Sequence, residues 1–361
     1  MVFCMVERSS IGSYNILSIR HLFLGAVSSH MEIRSKAEVF EAFAQIMERH
    51  GVSGSPEDFH AAVNVAFHEY ESEIYDQEHA DMWRSLPEQF RLLANDANLL
   101  FPYNSGELHL LDIGCGTGLA TDCLLKTQLG ERIESVDLLD TSPSMLRRAL
   151  ERSTSWRRRT NAHQGLLDSL SSDQKYDVII TCSVLHHLPD LAGFLNSVRG
   201  YQAPGGVFIH LQDPNSAVLN DPQLQQRIAQ LHKWKVPDSI ARFSPKRIAG
   251  RIYREVTGRQ RDDYLARTNR SLLQSRIVKT PLTIAEIFAI TDIHAVKGRG
   301  ISIERMKSWM PDYECVSQRS YGHFGVLWSD LPAKWKPIEE QMIRDHALNG
   351  SRVSAVWKCR A

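Results

Sequence analysis

Leu111-Asp112-Ile113-Gly114-Cys115-Gly116-Thr117-Gly118 is the stretch on which the reading of this chain turns. The apolar run Leu108–Ile113 ends in glycines, and a helix is expected from Leu119 to about Gly130. Glycine at a strand-to-helix turn adopts left-handed backbone angles and lets a ligand lie against the main chain. The spacing argues against one large ligand class. The dinucleotide fingerprint G-x-G-x-x-G puts its third glycine where this chain has Leu119, so a nicotinamide oxidoreductase is disfavoured.

Working outward, Ile133–Leu139, Tyr176–Cys182 and Val207–Leu211 are further short apolar runs, separated by helical or polar segments. That alternation predicts βα units and a parallel sheet covered on both faces. The second run leads to Asp140-Thr141-Ser142-Pro143-Ser144-Met145-Leu146, with Asp140 22 residues beyond Gly118. An acid at the tip of a second strand can accept both hydroxyls of a ribose, and Asp140 is favoured for that role. Asp137 competes for it, but sits inside the strand and is expected to point elsewhere.

Upstream, Ser35-Lys36-Ala37-Glu38 is a capping box before the stripe Val39, Phe43, Ile46 and Met47, and Gly51 closes that helix. Ser55-Pro56 opens a second helix carrying Phe59, Val63, Phe67, Tyr70 and Ile74, with Tyr75 at its end, and a third follows Pro87. Downstream, residues from about 214 to 300 read as mostly helical and charged. A helix near 302–310 and strands at Tyr313–Gln318 and Arg352–Lys358 are expected at the tail.

These motifs resemble the class I S-adenosylmethionine-dependent methyltransferases. The resemblance rests on the L-D-I-G-C-G-T-G loop and the D-T-S-P-S-M-L segment. It continues with Tyr176-Asp177-Val178-Ile179-Ile180-Thr181-Cys182-Ser183-Val184-Leu185-His186-His187-Leu188-Pro189-Asp190 and closes with Ala203-Pro204-Gly205-Gly206-Val207-Phe208-Ile209. It implies an α/β fold, a doubly wound, Rossmann-like, mostly parallel seven-stranded sheet with a helical N-terminal cover and a helical insertion. The expected organisation is a leader over 1–31, disordered or preceding a true start at Met31. The cover then spans 32–105, the donor-binding core 106–213, an insertion serving as acceptor lid 214–300, and elements completing the sheet 301–361.

The resemblance implies S-adenosyl-L-methionine as cofactor and assigns roles residue by residue. Asp112 would anchor the loop near the donor's amino group. The loop itself, with Gly114, Cys115, Gly116 and Gly118, would pass under the methionine portion. Asp140 would hold the ribose, Thr141 and Met145 would flank adenine, and Tyr75 would close over the bound donor. The family's acid after the third strand is replaced here by Leu166, so Leu166 and Leu167 are expected to give adenine only backbone and apolar contacts. The loop from Ser183 to His187 would border the reacting methyl.

Methyl transfer from a sulfonium is an in-line displacement, so the protein mainly aligns the reactants and excludes water. His187 is the candidate base, with His186, His210 and Asp213 behind it at the strand ends. His294 and His323 are candidates from more distant segments. The competing reading is a His-His pair that merely shapes the loop. No metal is expected, because the sequence offers no spaced ligand cluster.

Lys+Arg and Asp+Glu are both 42 among 361 residues, so no global field points to nucleic acid or membrane. Six cysteines at 4, 115, 123, 182, 315 and 359 show no metal or redox spacing, which predicts a reducing, cytoplasmic setting. The exception to neutrality lies between Arg242 and Lys279, where eleven basic residues face three acids. Two amphipathic helices are expected there, one on Ile248, Ile252 and Val256, the other on Tyr264, Leu265, Leu272, Leu273 and Ile277. Docked on the core, they would leave Arg247, Arg251, Arg254, Arg267 and Arg270 to draw in an anionic acceptor. The expected acceptor is therefore a small molecule methylated on O or N, anionic or carrier-bound. The alternatives are an RNA or protein methyltransferase using the basic insertion, and an inactive scaffold of the same fold.

Overall fold

The structure is a computed structural model that describes residues 35–102, 107–218, 221–234, 264–295 and 299–360. Helix α1 (Lys36–His50) opens with the capping box, Ser35 accepting from the Glu38 N–H and Glu38 returning to the Ser35 N–H, and Gly51 ends it in a left-handed turn. Helix α2 (Pro56–Glu71) is capped by Ser55. It stops before Tyr75, which instead begins the single turn α3 (Tyr75–Glu78). Helix α4 (Ala80–Asn98) starts well before Pro87 and carries that proline inside it, not ahead of it. Its other residues supply the helical period, with Met82, Leu86, Phe90 and Leu93 buried on one side.

The sheet follows. Its strands are β1 (Leu108–Ile113), β2 (Ile133–Asp140), β3 (Arg159–Gln164), β4 (Tyr176–Cys182), β5 (Gln202–Pro214), β6 (Tyr313–Tyr321) and β7 (Arg352–Cys359). Their spatial order is β3-β2-β1-β4-β5-β7-β6. The first five are parallel, while β7 runs antiparallel to both β5 and β6. The predicted single helix after the glycines is two short ones, α5 (Leu119–Leu124) and α6 (Gln128–Glu131), because Thr127 caps a new start. The remaining helices of the core are α7 (Pro143–Ser153), α8 (Leu191–Tyr201) and α9 (Pro222–Trp234).

Alternate residues of each strand point to opposite faces. Leu110, Val136, Leu138, Val178 and Ile180 pack under Leu86, Phe90 and Leu93 of α4. Leu111, Leu139, Ile179, Phe208 and Trp357 pack on the other face, with Leu191 and Leu195 of α8. Each such side chain contributes about 1.5–3 kcal/mol on leaving water. Strand β3 escaped the apolar reading because it is a polar edge strand.

Helices α10 (Tyr264–Gln274) and α11 (Ile284–Thr291) precede α12 (Ile303–Trp309) and α13 (Lys336–Arg344). The apolar face of α10 was expected to dock on the sheet core. It docks on the N-terminal cover instead: Leu272, Leu282, Ile287 and Ile290 share a third core with Val39, Phe43, Phe59, Val63 and Phe67. Both faces of the sheet are already covered, so the exposed stripes of α1 and α2 are what remains to be buried. The cover and the described part of the insertion thus form one helical unit, called the lid for its position, pinned at its rim by the Lys279 N–H to the His50 carbonyl at 2.9 Å and by Arg49 to Glu286 at 2.9 Å.

The leader over 1–31 and the helix expected on Ile248, Ile252 and Val256 lie outside the described residues. So do Arg247, Arg251 and Arg254. Arg267 is described and is not left to attract an anion: it makes a two-pronged ion pair with Glu73 and lies over the Tyr70 ring.

Candidate active site

Strand β1 delivers the chain into three left-handed glycines, with φ of 66° at Gly114, 54° at Gly116 and 84° at Gly118. Their surroundings separate two jobs. A Cβ at Gly114 would stand 2.6 Å from the Val184 side chain, and one at Gly118 would stand 3.2 Å from Trp156. At Gly116 it would meet nothing within 4 Å. Two of the glycines therefore admit neighbouring side chains, and the third borders open space where a ligand can lie on the backbone. Cys115 turns its side chain into the core, and burial pushes its thiol well above the usual range, so it can serve a ligand only through its main chain.

Asp112, fully buried beneath this loop, accepts the Thr121 hydroxyl at 2.7 Å through Oδ2. Its Oδ1 has no partner, and burial raises the carboxyl to about 7. A buried oxygen left over in this way suits an amino group arriving from the cradle.

Asp140 ends β2 and takes the Gly116 N–H on Oδ2 and the Ser142 N–H on Oδ1, each at 2.9 Å. It is thus fixed at the rim, with a further lone pair on each oxygen. Burial works to raise its pKa. Asp137 does point elsewhere: it accepts from Tyr176 at 2.7 Å, Asn161 at 2.7 Å and Gln174 at 3.0 Å. Beside the rim, Met145 is buried and Thr141 half-buried. The two leucines after β3 diverge, Leu167 entering the sheet core and Leu166 remaining 61% exposed.

The lid is tied to this cradle by bonds between residues far apart in the chain. Asp76 accepts from the Thr117 hydroxyl at 2.7 Å and from Arg152 at 2.6 Å, while Arg152 also donates to the Thr117 carbonyl at 2.8 Å and stacks on Trp83. Glu69 accepts from Ser142 and Ser144 at the start of α7. Tyr75 meets the His79 ring with centroids 4.4 Å apart, and burial, with the neighbouring Glu71 carboxylate, pushes its hydroxyl well above the usual range.

At the other end, Ser183 turns the chain with φ 63°, donating its N–H to the Leu211 carbonyl at 2.9 Å, and leads into His186 and His187. His186 is buried and its Nδ1 lies 2.8 Å from Asp213, itself fully buried at the end of β5. Although burial opposes the charged ring, the bond to Asp213 and the nearby Asp292 raise the pKa of His186. His187 goes the other way: burial, then the neighbouring His186, lower it to about 3. Its Nδ1 lies 2.6 Å from the Thr291 carbonyl, so that nitrogen carries the proton and Nε2 keeps a lone pair. From the lid, His68 meets the His187 ring edge-on with centroids 5.5 Å apart, and is held by Glu71 at 3.0 Å, which His79 also touches at 3.3 Å.

The more distant candidates take structural places. His210 is fully buried and stops 3.9 Å short of Asp213. His294 is buried against the Leu188 carbonyl at 3.0 Å, and His323 sits in the turn after β6, where its N–H bonds Glu339. Sequence reading also found no ligand cluster, because Asp292 is remote in the chain. Among the described residues, His186, His187 and Asp292 bring potential ligand atoms within 4.8 Å of one another. Spacing along the chain gave no signal for this group.

Comparison with known proteins bears on this constellation. A family model described as a methyltransferase domain matches residues 111–208. Ubiquinone biosynthesis O-methyltransferase of Rickettsia felis is 30% identical over 108 residues, which are 30% of this chain and 42% of the relative. Prosolanapyrone synthase of Alternaria solani is 27% identical over 129 residues, 33% of this chain and 5% of the synthase. The chain thus spans less than half the length of these curated relatives. Among solved structures, a S-adenosylmethionine-dependent methyltransferase from Clostridium acetobutylicum aligns over 80% of this chain and 98% of its own, at 13% identity and a TM-score of 0.40. The glycine cradle, the acid at the tip of β2 and the loop after β4 all belong to the segment that the family model matches: residues 111–208 match a methyltransferase domain.

Proposed function

We propose that the protein is a methyltransferase that moves a methyl group from S-adenosyl-L-methionine to an oxygen or nitrogen atom of a small-molecule acceptor. The observation that carries this reading is the pairing of two features. The open face of Gly116 lies beside Asp140, and in the loop after β4 a neutral His187 has its Nδ1 taken by the Thr291 carbonyl and keeps a lone pair on Nε2. When bound, the donor supplies a methyl group already activated by its sulfonium. The chain's residues bind and orient it: Asp140 toward the ribose hydroxyls, Asp112 toward the amino group, and the loop backbone of Gly114, Cys115, Gly116 and Gly118 beneath the methionine portion. Thr141, Met145 and Leu166 border the adenine side, with Leu167 backing it from the core. Tyr75 and the lid exclude water from the cradle. Ser183 shapes the loop, and His187 can take a proton from an acceptor hydroxyl or amine through Nε2.

A small acceptor is favoured by the lid, which brings His68, Glu71 and Asp292 over the loop after β4. Imidazoles and carboxylates gathered there suit an acceptor bearing a hydroxyl, amine or acid group. An RNA substrate is less favoured now that Arg267 is tied to Glu73. Arg247, Arg251 and Arg254, expected to recruit an anion, lie outside the described residues. No helix among the described residues is long and apolar enough to cross a membrane.

The deciding experiment supplies methyl-labelled donor and cell extract to the purified protein and follows label into the small-molecule, RNA and protein fractions. Label in small molecules is expected. Label confined to RNA or protein would replace the acceptor class, and donor binding without transfer to any fraction would favour an inactive scaffold.

A further inference from the structure

Histidine rings gather where the lid meets the loop after β4, and their surroundings divide them. His60 donates through Nε2 to the His187 carbonyl at 3.1 Å, and burial lowers its ring to about 4. His187 donates through Nδ1 to the Thr291 carbonyl at 2.6 Å, and burial, with His186 beside it, lowers its ring to about 3. Both rings are neutral at neutral pH and hold an added proton poorly. His186 has Nδ1 2.8 Å from Asp213 and Nε2 3.5 Å from Asp292, so both of its nitrogens face carboxylates. His79 turns Nε2 to Glu71 at 3.3 Å and its ring to Tyr75, with centroids 4.4 Å apart. His68 differs from these four. Its Nδ1 lies 3.0 Å from Oε2 of Glu71, while its Nε2 has no hydrogen-bond partner among the described residues. The side chain is 22% accessible and meets the His187 ring edge-on.

His68 and Glu71 stand one turn apart in the last turn of α2, a spacing that puts both side chains on one side of the helix. The carbonyl end of a helix favours an imidazolium there. Glu71 is buried, which opposes its charge, but the bonds from His68 and His79 hold its carboxyl down at about 2. The partner of Nδ1 is therefore a carboxylate, and a neutral His68 keeps its proton on Nδ1 and its lone pair on Nε2. Burial also opposes charge on His68. The bond to Glu71 and the charges of Glu71, Asp140 and Asp292 outweigh it and raise the ring above the usual 6.5. A base works best when its pKa lies near the working pH.

We propose that His68 takes the proton that the methyl acceptor loses, and that Glu71 positions its ring and steadies the imidazolium. The proposal rests on the methyl-transfer reading and moves the base of that reaction from His187 to the lid. The acceptor's oxygen or nitrogen bonds the methyl carbon as the carbon–sulfur bond leaves its electron pair on sulfur. The acceptor's proton passes to Nε2 of His68, and the ring, now charged, pairs with Glu71 through Nδ1–H. It returns the proton to solvent after the products leave.

The first arm of the test needs no turnover. An NMR titration of the histidine rings in the full chain, with the His68 signals assigned by their loss in His68→Gln, should show His68 ionising above 6.5. The neutral ring should carry its proton on Nδ1, and Glu71→Gln should lower the ionisation. A neutral His68 protonated on Nε2, or an ionisation indifferent to Glu71→Gln, would overturn the proposal. The second arm follows methyl-labelled donor into the small-molecule fraction of cell extract as the pH is varied. The wild-type rate should rise through one ionisation above 6.5. His68→Gln should lower the rate about 100-fold or more and remove that ionisation, with unchanged circular dichroism and donor affinity within about two-fold. Glu71→Gln should keep a reduced rate and move the ionisation down, and His187→Gln should leave the ionisation in place. An ionisation lost in His187→Gln and kept in His68→Gln would return the proton to His187 and overturn the proposal. Failure of the methyl-transfer reading would appear separately, as a wild-type chain that binds no donor or labels no fraction, while the ring titration still judges the Glu71–His68 pair.

Discussion

The Thr117 hydroxyl donates to Oδ1 of Asp76 at 2.7 Å, a bond that crosses from the glycine loop to the lid. It joins the turn beneath the proposed donor to the turn that begins with Tyr75. Thr117→Val should therefore loosen the lid without disturbing the sheet. Asp76 is 43% exposed, so the expected loss of donor affinity is modest, about 3- to 10-fold. Donor should slow protease cutting around residues 70–85 in the wild type and slow it less in the variant. Equal cutting with and without donor in the wild type would argue against closure.

Asp140 and Asp137 lie on one strand and predict opposite outcomes. Asp140→Ala should weaken donor binding by ~1.5–3 kcal/mol, the range for hydrogen bonds to a charged group, in a chain that stays folded. Asp137→Ala should leave affinity nearly unchanged and destabilise the fold. It strands the buried Tyr176 hydroxyl and the amides of Asn161 and Gln174, at about 1–3 kcal/mol for the group most deeply buried. Calorimetry and denaturant melts on the two variants separate the roles.

Arg267 gives a third comparison. Its pair with Glu73 is partly exposed, with side chains 30% and 50% accessible, so Arg267→Ala should cost only about 0.2–1 kcal/mol of stability. It should leave the acceptor's KM unaltered. A raised KM with unchanged stability would restore the arginine to acceptor recruitment.

Glu339 supplies a pH prediction away from the site. It is 1% exposed and accepts the N–H groups of Gly322 and His323, with the Arg227 guanidinium nearby; burial nevertheless raises its carboxyl to about 7. The folded value lies above the unfolded one of about 4.5. Its stabilising protonation is therefore fully present below about pH 4.5 and is lost as the pH rises through about 7. Relative to wild type, Glu339→Gln should gain about 3 kcal/mol between these limits. The difference between the two proteins isolates Glu339 from His323, whose ring is lowered to about 4 by burial and Arg227 and so contributes the opposite slope. A difference that stays flat with pH would refute the assignment.

Much of the sheet was legible because its strands are apolar on both faces and end in glycines or an aspartate. Leu108–Ile113 and Tyr176–Cys182 have the bounds read from sequence. Arg159–Gln164 was not read as an apolar strand, since an edge strand half open to water need not be apolar. Asp140 was recognisable because its place follows from the order of strand and turn. The bond of Asp76 to Thr117 and the approach of Asp292 to His186 were not, because each joins residues far apart along the chain that meet only after folding. The docking of α10 failed for a related reason. An amphipathic pattern states that a face will be buried, and is silent on which surface buries it.

The lid's third core draws on α1 and α2 from one side of the sheet segment in sequence and on α10 and α11 from the other. During synthesis, β1 to β5 leave the ribosome while the first two helices still lack the partners for their apolar stripes. The cradle around Gly116 and Asp140 can thus take shape early, as an open bowl, and its roof is assembled only when the later helices emerge. A nascent chain halted after Pro214 would carry the bowl with a bare greasy flank on its cover, a surface that invites chaperones and association with other chains.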